Sequence, residues 1–416
     1  MPRPKILHVV GDSAFGGASR IVRAIAVGAR SSGYHVAVLA THPVFCSQLT
    51  ADGVEVINFR GIQRAVNPIK DVGAIGRLAG LLVAEPFDIV HTHTSKGGII
   101  GRAAAMLSCT PAIIHTVHGF AFHEASGRCG TVAYQLVERT AAHWCDLIVT
   151  VSEHHARVAT QIGIPVDKVV AIPNGLSVPV PAVNPQHVRE QLAVGPDTTM
   201  LLSVGRLATQ KGLEHLIRAT SLLNDGAHSK YRTVIVGEGE LRAPLETLAR
   251  ELSLNGTVRF MGFRTDVADL LAAADMVVLP SLWEGLSISL LEGMAAGKPI
   301  VTTSIPSNLE ATAGGHAAYL VPPGDVAALA KAVRALAGDP ARRERLATAA
   351  RCRYLSHYSE QAMVASYMRC YESLLSRVTT RSASKGLPGE FAGPVPRPLG
   401  REAIGTQVLS GDAGHI

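Results

Sequence analysis

The chain has 416 residues, too many for one ordinary hydrophobic core, so two domains are expected. Apolar residues make up 47% and glycines number 40, with few aromatics, a balance that suits an α/β protein rich in tight strand–helix turns. The net charge of +6 suits phosphorylated substrates or an anionic membrane surface; with no basic stripe interleaved with aromatics, it argues against nucleic acid.

Ile6–Val10 reads as the first strand, followed by a glycine turn over 11–18 and a helix near Ser19–Ser32. Strands follow at His35–Ala40 and near Val54–Phe59, then a helix at Val72–Ala84 and a strand at Ile89–His91. A helix around Gly98–Ser108 leads to strand Ala112–Thr116, a helical stretch at Tyr134–His143 and strand Leu147–Val151. Such alternation implies βαβ units and a parallel sheet. After Val169–Ile172 and the turn Pro173-Asn174-Gly175, the proline- and valine-rich stretch Ser177–Pro185 reads as an interdomain connection.

Strand Met200–Val204 opens a second series: a helix from Leu213, strand Thr233–Val236, helix Leu241–Leu252, strand Val258–Met261 and helix Val267–Ala274. Strand Met276–Leu279, a helix after Glu284 and strand Pro299–Thr302 continue it. Helical patterns at Val326–Ala337 and Gln361–Ser376 close the compact part, and residues 378–416, without apolar periodicity, are expected to be disordered. Six cysteines without a Cys-x-x-Cys pair read as reduced residues of a cytosolic protein. No apolar signal region precedes Ile6, and no window approaches the roughly 18 apolar residues of a membrane span. The expected location is therefore the cytoplasm, with any membrane contact peripheral.

Several strand ends carry residues suited to a phosphate. In Gly11–Ala18, Gly16 and Gly17 would let the backbone approach a phosphate at a helix start, although the plain alternative is a strand–helix turn. The loop lacks the Lys-Ser/Thr of a nucleoside-triphosphate loop and the Gly-x-Gly-x-x-Gly of a dinucleotide site. Gly205-Arg206-Leu-Ala-Thr-Gln-Lys211-Gly212 sets two cations after a strand, which suits a diphosphate. Val236-Gly237-Glu-Gly239 and Phe260-Met-Gly262-Phe-Arg264 fall on the same carboxyl edge. Glu284 and Glu292 flank a glycine turn and a helix start in Pro280-Ser-Leu-Trp-Glu-Gly-Leu-Ser287, a combination that points to a ligand with phosphate and hydroxyl groups. His91-Thr-His93 and His115-Thr-Val-His118 to His123 could hold a metal by spacing alone, but no partner carboxylate or Asp-x-Asp pair accompanies them, and the metal-free reading is preferred.

From Ile6 to about Leu375 the chain resembles the retaining glycosyltransferases of the GT-B fold, in the large family 4 type that includes bacterial polysaccharide and exopolysaccharide assembly enzymes. Glu284-x7-Glu292 carries most of the resemblance, supported by Gly205-Arg206 to Lys211-Gly212, Gly16-Gly17 and Thr116-Val-His118-Gly. It implies two Rossmann-like parallel-sheet domains facing across a cleft: 1–176 on the acceptor side, 177–357 for the nucleotide-sugar donor, a helix at 358–377 crossing back to the first domain, and the tail. It implies that Arg206 and Lys211 bind the donor diphosphate, that Glu284 contacts the transferred sugar and that Glu292 holds the ribose. The N–H groups of Gly285, Leu286 and Ser287 would hold sugar and phosphate oxygens, His118 the donor sugar, Gly17 the phosphate from the opposing domain, and Arg264 would face the base, with Gly205 and Gly237 lining the donor edge.

The implied donor is a nucleotide-diphosphate sugar, UDP-linked in preference to GDP-linked, with no metal or other cofactor. The implied acceptor is a glycan or polyprenyl-diphosphate-linked saccharide, met at the cytoplasmic face of the inner membrane, with Arg20, Arg23, Arg30, Arg77 and Arg102 as a possible basic surface. A sugar-nucleotide epimerase of the same fold and a catalytically silent docking module are the alternatives.

Overall fold

The computed structural model describes residues 3–11, 16–63, 67–120, 127–178, 180–224 and 230–384. The middle of the first glycine loop, His123 and the tail from 385 onward lie outside the described residues.

The first sheet comprises β1 (Lys5–Val9), β2 (His35–Leu39), β3 (Glu55–Ile57), β4 (Ile89–His93), β5 (Ala112–Val117), β6 (Leu147–Thr150) and β7 (Val169–Ala171). Its seven strands run parallel in the order β3-β2-β1-β4-β5-β6-β7. The second comprises β8 (Thr199–Val204), β9 (Tyr231–Val236), β10 (Val258–Phe260), β11 (Met276–Leu279), β12 (Ile300–Thr303) and β13 (Tyr319–Val321), in the order β10-β9-β8-β11-β12-β13. Central strands such as β4, β5 and β11 are buried along their whole length, as expected of β-branched runs covered by helices on both faces. In each sheet the chain order reverses once, between β1 and β4 and between β8 and β11. Open parallel sheets bind ligands at such switch points, outside the carboxyl ends of the strands.

Local chemistry explains the helices that apolar periodicity did not reveal. Asp339 accepts from the N–H of Arg342 and Pro340 occupies the first turn of helix Pro340–His357, an arginine-rich helix that buries only Ala350 and Tyr354. Asn184 and Pro185 start helix Pro185–Gln191 in the same way, at the end of the expected linker. Helices Pro43–Ala51, Glu153–Gln161 and Pro306–Ala311 and strand β13 were likewise not anticipated.

The last helix, Glu360–Ser384, runs past the expected end at residue 377 and lies back across the first domain. Val364 occupies the space that a side chain at Gly28 would need. The hydroxyls of Tyr371 and Tyr367 reach His91 Nδ1 (2.6 Å) and Thr116 Oγ1 (3.1 Å). A second clasp joins the domains: both carboxylate oxygens of Glu310 accept from the N–H groups of Glu153 and His154, at 2.8 Å each. An anion on the first turn of helix Glu153–Gln161 is favoured by the free amides and the helix dipole. No helix among the described residues is long and apolar enough to cross a membrane.

The packing removes Arg102 from the expected basic surface. Arg102 is fully buried, donating to Glu138 at 2.9 Å and to the carbonyl of Gly98. Arg23 is paired in fork geometry with Asp52, and Arg20 is taken up by Glu292 across the cleft. Each is paired with a nearby carboxylate, but only Arg102 is buried; Arg20 and Arg23 keep 42% of their side-chain surface exposed, and Arg30 and Arg77 are exposed.

Candidate active site

The second switch point gathers the charged residues. The loop after β8 carries Arg206, Gln210 and Lys211; the loop after β11 carries Ser281 and Glu284. Lys211 Nζ lies 2.5 Å from Glu284 Oε1, which also accepts from Ser281 Oγ at 2.9 Å, while Gln210 Nε2 donates to Oε2 at 3.0 Å. The Glu284 side chain is only 7% exposed, so the salt bridge sits in a poorly solvated place where partner geometry matters most. The backbones of the two loops are laced together. Leu282 N–H donates to the Gln210 carbonyl at 2.8 Å, and Gly212, at φ +59°, leaves no room for a Cβ beside the Pro280 carbonyl. Arg206 is exposed on the same loop and pairs with none of the described residues.

After Glu284 the chain turns into helix Ile288–Ala295. Its cap residue Ser287 offers no side-chain hydrogen bond, and Ser287 Oγ is buried without a partner among the described residues. The N–H groups of Gly285, Leu286 and Ser287 take no described partner either, leaving a cluster of donors at the positive end of a helix. Glu292, one turn further along, is buried and holds Arg20. Sequence separation hid that partner, since the two are 272 positions apart.

The first domain meets this turn closely. A Cβ at Gly285 would overlap the carbonyl oxygen of His118, so only glycine allows the approach. At Gly17, where helix Gly17–Ser31 begins, a Cβ would fall 2.7 Å from Ile288 Cγ1. Asn174 Nδ2, from the Pro-Asn-Gly turn, donates to the Leu286 carbonyl at 3.3 Å. Gly16, Gly17, His118 and Gly285–Ser287 are thus brought to one seam, with Lys211 and Glu284 on its second-domain side.

Gly205 and Gly237 pack together at the ends of β8 and β9, where Gly205 N–H donates to the Val236 carbonyl at 2.9 Å. Arg264 is held away from this cluster in its own ion pair with Asp266, whose hydrogen bond keeps the carboxyl below its usual range. It also lines a cavity with Gln191, Arg259, Met261 and Leu270, none of them in the Lys211–Glu284 cluster.

Histidines occupy the first switch point. Strand alternation puts His91 and His93 on one face of β4, and the register sets His8 of β1 beside His91. Burial alone pushes His8 down to about 3 and His118 to about 4, and with help from neighbouring imidazoles it drives His91 and His93 well below the usual histidine value. Ring nitrogens of His8, His91 and His93 lie within 4.8 Å of one another, close enough for a metal ion. They are spent otherwise: His8 Nδ1 and His93 Nε2 are 3.0 Å apart, and His91 binds Tyr371 and Thr116 through its two nitrogens. The paired spacing His91-Thr-His93 and the turn Pro173-Asn174-Gly175 were visible in the sequence; His8 and Gln210 carried no signal of their own, and Arg20 was read only as a surface residue.

With this geometry in place, comparison with known proteins becomes informative. Residues 186–353 match the family described as Glycosyl transferases group 1, and residues 16–175 match the Glycosyl transferase 4-like domain. An Escherichia coli protein named UDP-Gal:alpha-D-GlcNAc-diphosphoundecaprenol alpha-1,3-galactosyltransferase is 32% identical over 263 residues, 62% of this chain and 68% of that one. The chain belongs to the family 4 type glycosyltransferases. Its GT-B fold is shared with Anabaena HepE, solved in complex with UDP and glucose, at a TM-score of 0.79 and 20% identity over 89% of this chain and all of that one. WaaG, a glycosyltransferase involved in lipopolysaccharide biosynthesis, superposes with a TM-score of 0.70 at 19% identity, over 87% of this chain and 98% of that one. In this glycosyltransferase the family-matched segments divide at the Pro-Asn-Gly turn, and the charged cluster falls within the second of them.

Proposed function

We propose that this glycosyltransferase moves a hexosyl group from a nucleotide-diphosphate sugar, UDP-linked in preference to GDP-linked, to a glycan or polyprenyl-diphosphate-linked saccharide in cell-surface polysaccharide assembly. Transfer retains the anomeric configuration and uses no metal ion. The reading rests above all on Lys211 and Arg206 at the carboxyl edge of β8, on the loop that meets the turn whose amides, Gly285–Ser287, have no partner among the described residues. Breaking the anomeric bond leaves positive charge on the sugar and negative charge on the departing diphosphate. Fixed cations and helix-start N–H groups aimed at that diphosphate stabilise the transition state more than the ground state.

Glu284 holds Lys211 in place before the donor arrives and would face the sugar hydroxyls once the phosphates claim the cation. Glu292 would exchange Arg20 for the ribose hydroxyls. His118 would serve the sugar from the opposite wall, with Gly16 and Gly17 approaching the phosphates and Gly205, Gly237 and Arg264 bordering the nucleotide. Retention follows from attack on the same face, the leaving phosphate oxygen taking the acceptor's proton. The closed seam would exclude water that could hydrolyse the donor. The Escherichia coli relative's named donor and lipid-linked acceptor support the substrate classes. The positive net charge, and exposed Val132, Leu136 and Val137 on helix Arg128–Ala141, favour a peripheral site at the cytoplasmic face of the inner membrane.

The test is transfer from radiolabelled nucleotide sugars to an undecaprenyl-diphosphate-linked saccharide, with EDTA present and product linkage read by NMR. An α-linked product from an α-linked donor, formed in EDTA, is expected. Isomerised sugar from donor alone would favour the epimerase, and EDTA-abolished transfer would end the metal-free reading.

A further inference from the structure

Three imidazoles form a continuous chain that starts inside the first sheet and ends at the domain seam. His8 Nδ1 lies 3.0 Å from His93 Nε2, and His93 Nδ1 lies 3.2 Å from His118 Nε2. The far atom, His8 Nε2, is buried with no partner among the described residues. At the near end, His118 Nδ1 has no described partner, and its residue touches the Gly285 turn. The remaining imidazole of the cluster cannot interfere, because His91 has both nitrogens engaged while its ring packs 4.1 Å from that of His93.

Each link needs one donor and one acceptor, and a neutral imidazole offers one of each. Burial keeps His8, His93 and His118 neutral at pH 7. A neutral chain therefore has only two polarities. In one, His118 Nε2–H donates to His93, His93 donates to His8, and His8 is left with a buried N–H that has no partner among the described residues. In the other, His8 Nδ1–H donates to His93, His93 Nδ1–H donates to His118, and the orphan at His8 is a bare lone pair. A buried donor without a partner is the rarer and costlier defect. The second polarity leaves His118 with its proton on Nδ1.

We propose that His93, with His8 behind it, is the positioning residue that holds the His118 imidazole in its Nδ1–H tautomer, so that it presents a hydrogen-bond donor to the bound sugar nucleotide. The inference rests on reading the seam as the donor site. An N–H there can serve a sugar hydroxyl oxygen or a phosphate oxygen, whereas a lone pair would repel the phosphate. The inner end of the chain thus sets the chemistry of the end at the seam, in the way that the partner of one ring nitrogen fixes the role of the other.

The full-length protein labelled with 15N-histidine, read by long-range proton–nitrogen correlation, tests this directly, with His118 assigned through His118→Ala. The expected pattern is a protonated Nδ1 and a bare Nε2 at His118. His93→Asp, which replaces the donor facing His118 Nε2 with an acceptor, should move His118 toward the Nε2–H form and lower kcat roughly 10–100-fold with little change in KM, whereas His8→Leu leaves only a bare lone pair at His93 Nε2 and should keep the Nδ1–H form. His93→Asn, which keeps a donor at the Nδ1 position, should restore the tautomer and most of the activity. Nε2–H at His118 in the unaltered protein, or a tautomer indifferent to His93→Asp, overturns the proposal. If the tautomer behaves as expected but His118→Ala transfers sugar normally, the donor-site reading fails while the chain polarity stands.

Discussion

At the switch point of the first sheet, buried neutral imidazoles line the crevice and are linked by hydrogen bonds; at the second, Lys211, Glu284 and exposed Arg206 supply full charges. Both sheets bring loops to their carboxyl edges by the same topology, so the fold does not dictate the difference. The charged side suits the part of a ligand where negative charge grows, and the imidazole side suits groups that need direction without net charge. A transferase that separates a sugar from a diphosphate has use for both. Division of labour between the domains is the lesson, and it can be attacked from either side.

The largest expected effect is on the charged side. Lys211→Ala should lower kcat at least ~100-fold with the fold intact, by analogy with removing one donor that stabilises developing charge. Circular dichroism and steady-state transfer assays give the answer. Near-normal turnover would remove Lys211 from the machinery and with it the assignment of charge work to the second domain. Loss of the cation also leaves the buried Glu284 carboxylate with only Ser281 and Gln210, so Lys211→Met with Glu284→Gln separates electrostatic loss from local strain.

Next comes the contact between the two sides. In Gly285→Ala the new methyl meets the His118 carbonyl oxygen, and the domains must part to admit it. Misplacement of reacting groups by about 1 Å can cost roughly 100-fold, so kcat should fall by up to that factor while donor binding to the second domain survives. Small-angle scattering would register the opened seam, and calorimetry with the nucleotide diphosphate would register the surviving binding. Unchanged kcat would mean that catalysis needs no close approach of His118 to the glycine turn.

Much of this arrangement was legible because strand ends are legible. Lys211 and Glu284 follow neighbouring strands β8 and β11, so a parallel-sheet reading already places both on one edge. Gly17 was expected to approach the donor from the opposing domain, but the contact of Gly285 with the His118 carbonyl was not. Pairing between distant side chains was hidden: nothing in Arg20 or Arg102 distinguishes a solvated helix arginine from one that crosses a cleft or is buried against Glu138. His8 looks like any polar residue in a strand until register sets it beside His91. Helix Pro340–His357 escaped for a different reason, since so few of its residues are buried that it has no apolar stripe to detect.

The smallest effect tests the imidazole side through stability. Free histidine titrates near 6.5, while folded His118 titrates near 4 and His8 near 3, both lowered by burial. Well above pH 6.5 the folded and unfolded chains hold equal numbers of protons at these sites, and neither contributes a pH dependence. As pH falls below that value the unfolded chain takes up protons that the folded chain refuses, so the unfolded state gains and stability declines. Each such histidine contributes up to about 1.4 kcal/mol per pH unit until its folded value is reached. Urea midpoints should therefore fall steadily from pH 7 to pH 5, with proton uptake on unfolding measurable by pH-stat. His8→Leu removes one of these sites, so its decline over the same interval should be shallower by about one proton's worth of slope. A profile flat across this range in the unaltered protein would mean that the first switch point admits charge, and the contrast between the two domains would lose its physical basis.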